Sequence, residues 1–151
     1  MRATNHALTG AVIGLTIANP ALALPLAFLS HFAQDAIPHY DNKERFPLGS
    51  KQFTQTLLAD AFLCGVLVLV LAVSAPERWL ASAVCAFLAT SPDLMWIPRY
   101  MYAERTGIDP GPKGVIQRFH ALVQWCERKW GLFVEIPWFV GMAVTLWWLI
   151  R

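Results

Sequence analysis

Apolar residues in this chain gather into five segments, roughly Ala7 to Ala18, Ala21 to Leu29, Leu57 to Ala75, Trp79 to Ala89 and Leu132 to Ile150, separated by charge, Pro and Gly. Residues 57–75 and 132–150 approach the roughly 20 residues a helix needs to cross a bilayer, and the others reach that depth only with their polar flanks. Asn19-Pro20 breaks the first segment from the second, and Pro opens a helix well because its missing N–H belongs to a turn without intrahelical acceptors. Residues 5–18 and 20–36 are therefore expected to form a tight helical hairpin with both ends on one side. Ser50 is placed to cap a long third helix running to Ser74, Ala75-Pro76-Glu77-Arg78 turns the chain, and a fourth helix returns to Ser91-Pro92-Asp93. The charged, Gly- and Pro-containing stretch Arg99 to Gly114 is expected in water. Lys113 to Trp130 reads as an amphipathic helix at the interface, with Val115, Phe119, Leu122, Val123 and Cys126 on one face and Arg118, Glu127, Arg128 and Lys129 elsewhere. A last helix then crosses to Arg151.

Composition makes this a membrane reading. Of the 151 residues 56% are hydrophobic and only 15% charged, too apolar for an ordinary soluble domain. The expectation is one all-α domain over residues 1–151, an integral membrane bundle with four or five embedded helices and one amphipathic interfacial helix. Arg2 precedes the first apolar run, but Gly10, Gly14 and Asn19-Pro20 interrupt that run and no small-residue cleavage site follows, so the segment is expected to stay in the mature protein. Cys64, Cys85 and Cys126 are odd in number and scattered, which implies no disulfide framework. A net charge of +2 gives no reason to expect nucleic acid as a partner. Its distribution is more telling. On this path Arg2, Lys43, Arg45, Lys51, Arg99, Arg105, Lys113, Arg118, Arg128 and Lys129 share one side, with Arg78 and Arg151 opposite, which assigns the first side and the N-terminus to the cytoplasm. Most tryptophans, Trp79, Trp96, Trp125 and Trp130 among them, flank segment ends as interfacial anchors do.

The same path brings His6, His31, Asp35, His39, Asp41, Asp60, Asp93 and His120 to the cytoplasmic side. Ionisable side chains at the ends of apolar helices cost several kcal/mol unless paired, metal-bound or wet, which makes them functional candidates. His31 and Asp35 stand at i and i+4, one above the other on a helix, where an imidazole and a carboxylate can grip one ion. The expected ligands are His6, His31, Asp35, Asp60, Asp93 and His120, with Gln124 and Glu127 following His120 on neighbouring turns; His39 and Asp41, beyond Pro38, rank second. This mixed nitrogen and oxygen set suits zinc, then manganese or iron, and suffices for one or two ions. Glu127 and Glu135 are the expected bases, and Arg99 and Arg118 are placed to bind an anionic head group. Each has a plainer alternative: a hydrogen-bonded pair for His31 and Asp35, a helix cap for Asp93, and the positive-inside bias for the arginines. Ile37-Pro38-His39-Tyr40 with Glu44-Arg45 recurs as Ile97-Pro98-Arg99-Tyr100 with Glu104-Arg105, a weak hint of two related halves that each end on an acid, Asp35 or Asp93.

Asn5-His6-Ala7-Leu8-Thr9-Gly10, followed by Leu29-Ser30-His31-Phe32-Ala33-Gln34-Asp35-Ala36-Ile37-Pro38-His39-Tyr40-Asp41, resembles small bacterial membrane-bound metal-dependent hydrolases of the YdjM-like group over the first third of the chain. The resemblance implies a helical domain in a bacterial inner membrane, a metal site near the cytoplasm, and His6, His31, Asp35, His39 and Asp41 as site positions. The Pro-Asp-x-Asp-His motif of that group stands here as Pro38-His39-Tyr40-Asp41, and no His-Arg-Gly-x-Thr-His segment is present. A looser similarity links the His31/Asp35 pair to helical zinc-dependent phospholipases C. The expected activity is hydrolysis of an ester or phosphoester, with a lipid as the favoured substrate, by metal-activated water. The alternatives are a metal or proton transporter and a non-catalytic membrane scaffold.

Overall fold

The computed structural model describes residues 1–41 and 46–151; Lys43, Glu44 and Arg45, which enter the charge bias and the repeat, lie outside the described residues. The order is α1 (Ala3–Thr16), α2 (Pro20–Asp35), β1 (His39–Tyr40), α3 (Lys51–Ser74), α4 (Trp79–Thr90), a 3-10 helix (Ser91–Trp96), α5 (Ile97–Thr106), α6 (Gly114–Val123), β2 (Glu127–Arg128) and α7 (Leu132–Leu149). Among the described residues the chain is thus all-α apart from one two-residue strand pair.

Local chemistry sets the boundaries. Asn19 Oδ1 accepts from the Ala21 N–H at 3.0 Å with Pro20 in the first turn of α2, and Ser50 Oγ accepts from the Phe53 N–H at 3.2 Å to start α3, as expected of such caps. Pro92 and Pro98 do not stop the chain after α4. Each falls in the first turn of a new helix, where no N–H is needed, so Trp79–Thr106 is one nearly continuous helical run of 28 residues. It ends at Gly107, whose φ of +70° is the left-handed cap that glycine adopts without strain. Part of the stretch expected in water is therefore helix α5.

The amphipathic helix is shorter than expected. It stops at Val123 instead of running to Trp130, because the chain leaves helical geometry at Gln124 and the backbone of 127–128 pairs in parallel with β1, His39 opposite Glu127 and Tyr40 opposite Arg128. Gly131 follows this pair closely: a Cβ built there lies 2.0 Å from the His39 carbonyl carbon and 2.3 Å from its oxygen. Gly131→Ala must push β1 away and is expected to cost about 1–3 kcal/mol, read as a lowered thermal midpoint in detergent; an unchanged midpoint would contradict the close approach.

Among the described residues three helices are long and apolar enough to cross a membrane, α3, Trp79–Thr106 and α7, fewer than the four or five expected. Helices α1 and α2 have 14 and 16 residues, only about 21 and 24 Å at 1.5 Å per residue, short of a hydrocarbon core of about 30 Å. In the most apolar windows of the three long helices only 17%, 28% and 11% of residues are buried. Phe62, Leu69, Val73, Phe87, Phe133 and Trp148 stand in the open on the outer surface, an apolar exposure that suits membrane association.

Helix α1 is the hub, packed against α2, α3, α4 and α7. One buried cluster joins Ala7, Leu8, Ala11 and Leu15 to Leu67, Leu71, Ala86 and Leu146, and a second joins Ala23 and Ala27 to Cys85. At one end of the bundle Leu15, Ser74, Arg78 and Arg151 line a shared hollow. The histidines and buried aspartates lie away from it.

Candidate metal centre

Three elements bring four ligand side chains together. Helix α2 contributes His31 and Asp35 from successive turns, the 3-10 helix after α4 contributes Asp93, and α6 contributes His120. One ligand atom from each lies within 4.8 Å of all the others. His31 Nε2 is 3.3 Å from Asp35 Oδ2 and 3.7 Å from Asp93 Oδ1; His120 Nε2 is 3.1 Å from Asp35 Oδ2 and 4.0 Å from Asp93 Oδ1. The side chains of His31, Asp35 and His120 are fully buried, whereas that of Asp93 is 33% exposed. Of the four, only Asp93 opens the cluster to the outside.

Asp35 is the centre of this arrangement. Its carboxylate also meets the buried amine of Met1, the Gln124 amide, which donates at 3.1 Å, and His6 Nε2 at 3.2 Å. The amine and the amide donate to it, and such charge-assisted contacts fix the carboxylate in place. His6 stacks on His31 with centroids 4.1 Å apart and planes 23° from parallel. Neither His6 nitrogen makes an aligned hydrogen bond, although its Nε2 is near Asp35 in distance; a buried imidazole left in this state against another imidazole is the kind of group that a metal satisfies.

The donor set fits an ion. The Nδ1 of His31 is 2.8 Å from the Ala89 carbonyl oxygen. A carbonyl only accepts, so Nδ1 donates and Nε2 is turned into the cluster, the outer hydrogen bond that orients most metal-bound histidines. Two nitrogens and two carboxylates suit zinc, manganese or iron. The Nε2 atoms of His31 and His120 are 2.8 Å apart, whereas a tetrahedral site with Zn–N near 2.05 Å separates two nitrogens by about 3.3 Å. The two Nε2 atoms would therefore separate by about half an ångström to share one ion.

The remaining expected residues are placed as follows. His6 adjoins the cluster through Asp35 and His31. Asp60 stands apart, accepting from Thr4 Oγ1 at 2.7 Å and pairing with Arg2 at 3.3 Å. His39 is buried in β1 with Nδ1 2.9 Å from the Ile37 carbonyl, and burial, followed by the charge of the N-terminal amine, lowers its pKa from the ordinary value. The Asp41 N–H donates to the Arg128 carbonyl at 3.4 Å. Glu127 is half-buried in β2. Glu135 is buried at the start of α7, where its carboxylate accepts from the Tyr40 N–H at 3.2 Å and ties α7 to β1. Arg99 clasps Asp109 through two hydrogen bonds, and Arg118 is exposed on α6. Two contributors were not expected from the sequence, the Met1 amine and Trp96, whose indole N–H donates to His120 Nδ1 at 2.7 Å. The spacing of Trp96 three residues after Asp93, one turn of a 3-10 helix, is the signal that places it on the same side. Compared with protein-family models, curated proteins and solved structures, the chain matches none.

Proposed function

We propose that this chain is an integral membrane, metal-dependent hydrolase acting on a lipid ester or phosphoester. The observation that carries the reading is the convergence of His31, Asp35, Asp93 and His120, with three fully buried side chains and one half-open carboxylate. Zinc is the first choice of ion, with manganese and iron next, and His6 is the residue at hand for a further ligand or a second ion. When bound, the ion supplies Lewis acidity and activates water. The protein supplies position: Ala89 orients His31, Gln124 and the Met1 amine orient Asp35, and Asp93 faces the side from which substrate arrives. Glu127, three residues beyond the Gln124 that reaches Asp35, is the proposed base; Glu135 is the other candidate.

The lipid assignment rests on α6. Val115, Ile116, Phe119 and Leu122 stand exposed on it, with Trp125 just beyond, in a segment that also carries Lys113, Arg118, Arg128 and Lys129. An exposed apolar face among basic residues lies in the interface of an anionic leaflet, and the helix bearing it delivers His120. Leu22, Leu26, Phe28 and Leu29 on α2 are also exposed, which supports an embedded α1–α2 hairpin and hence the larger count of membrane helices. The cytoplasmic placement of this end, in a bacterial inner membrane, follows from the charge bias and the resemblance. A transporter would instead spread its ionisable groups through the membrane depth.

The test is hydrolysis by zinc-loaded protein in anionic phospholipid vesicles, together with a soluble chromogenic phosphoester. Zinc-dependent turnover of at least one is expected, falling about a hundredfold or more in Asp93→Asn, since loss even of an outer-shell partner costs 10–100-fold. Zinc-loaded protein inert toward both would overturn the hydrolase reading.

A further inference from the structure

The contact between Trp96 and His120 constrains the cluster in a way the metal reading alone does not. The indole nitrogen can only donate, so its 2.7 Å contact requires a lone pair on His120 Nδ1. The one proton this ring then carries sits on Nε2, which points at His31 Nε2 at 2.8 Å and Asp35 Oδ2 at 3.1 Å. His31 has the complementary arrangement, its proton on Nδ1 toward the Ala89 carbonyl, and its Nε2, which also stands 3.3 Å from Asp35 Oδ2 and 3.7 Å from Asp93 Oδ1, takes the hydrogen bond from His120. The two rings form a donor–acceptor pair, and the cluster is a closed hydrogen-bonded network from Trp96 through His120 and His31 to Ala89.

A metal ion needs a lone pair on each Nε2. His31 is already in that form, and His120 is in the other. For His120 to bind, its Nε2–H bond must break and an Nδ1–H bond must form, with no net change in protons. That new N–H would face the Trp96 N–H, donor against donor, at a separation of 2.7 Å. The indole therefore has to move. It is restrained by the Arg99 guanidinium, 4.9 Å above its ring, which Asp109 anchors in turn. Trp96 also shares the 3-10 helix Ser91–Trp96 with the ligand Asp93.

We propose that Trp96 is a gate on metal loading: it holds His120 in the hydrogen-bonded form, and the ion binds only as the indole releases Nδ1. This deepens the metal reading and depends on it. The outer partners of metal-bound histidines are ordinarily acceptors, and removing one weakens binding 10–100-fold. Trp96 is a donor, so its removal acts with the opposite sign.

Trp96→Phe keeps an aromatic ring beside His120 and deletes the N–H. With zinc competed against a chromogenic chelator, the variant is expected to bind about tenfold more tightly than the wild type, one hydrogen bond's worth; equal or weaker binding overturns the gate alone. Zinc bound by neither protein overturns the metal reading and the gate with it. The nitrogen-15 spectrum of the metal-free wild-type imidazoles gives a second readout that needs no variant. His120 is expected to be protonated at Nε2 and bare at Nδ1, changing to the opposite form on zinc addition, and an Nδ1 proton in the metal-free protein overturns the proposal.

Discussion

Asp35→Ala is expected to cost about 3–5 kcal/mol, because it removes the shared acceptor from a buried group of charged and polar donors and leaves them unpaired. The Met1 amine, His120 and Gln124 donate to this one carboxylate, which is itself fully buried, and His6 and His31 stand 3.2 and 3.3 Å from it. Water cannot replace it without opening the junction of α1, α2 and α6. In a chain of this length the loss corresponds to a fall of roughly 10 °C in the thermal midpoint, measured by circular dichroism in detergent. Asp35→Asn should fall between wild type and alanine, since it keeps one acceptor oxygen but turns an NH2 toward donors. A midpoint within about 2 °C of wild type for Asp35→Ala, less than 1 kcal/mol on the same scale, would show that Asp35 does not organise this end of the bundle.

Gly10→Val is expected to be nearly as damaging, for a steric reason. A Cβ on Gly10 lies 2.4 Å from the Cys85 carbonyl oxygen and 2.8 Å from both Ala86 Cα and Ala89 Cβ, and one on Gly14 lies 2.6 Å from Ser82 Cα. These are backbone atoms or the stub of an alanine, and none can rotate away. The glycines thus let α1 lie directly on α4, the small-residue packing by which helices associate in membranes. Separating the two helices also separates His6, on α1, from His31, whose Nδ1 is fixed to Ala89 of α4. A cost of about 3 kcal/mol and a loss of zinc affinity should therefore appear together. Gly141→Ala on α7 is the control, because nothing lies within 4 Å of its Cβ position; equal effects at the two positions would refute the packing argument.

Much of this structure was legible in the order of residues. The five apolar runs became α1, α2, α3, α4 and α7, Pro20 opens α2 and Ser50 caps α3 as expected, because apolar periodicity and helix-start signals are local. His31, Asp35 and Asp93 stood out as polar groups at the ends of apolar segments, where burial is expensive, His120 as the histidine of the amphipathic helix, and the fold brings those four together. Asp60 stood out equally by that criterion. Its partners Arg2 and Thr4 lie more than fifty residues away, so only the packing of α1 on α3 shows that it joins an ion pair instead. The end of α6 at Val123 was hidden for the same reason, since it depends on a backbone pairing between segments far apart in sequence. The Ile-Pro repeat illustrates both limits. His39-Tyr40 is extended and Arg99-Tyr100 helical, yet Asp35 and Asp93, which precede them, meet in one cluster.

The most direct test of the account is elemental analysis of the purified protein after zinc loading and removal of free ions. About one firmly held zinc per chain is expected, as for a site of four protein ligands, reduced to background in His31→Ala and in Asp93→Asn while both variants remain helical. Zinc at background in the wild-type protein, or retained equally in all three, would contradict it.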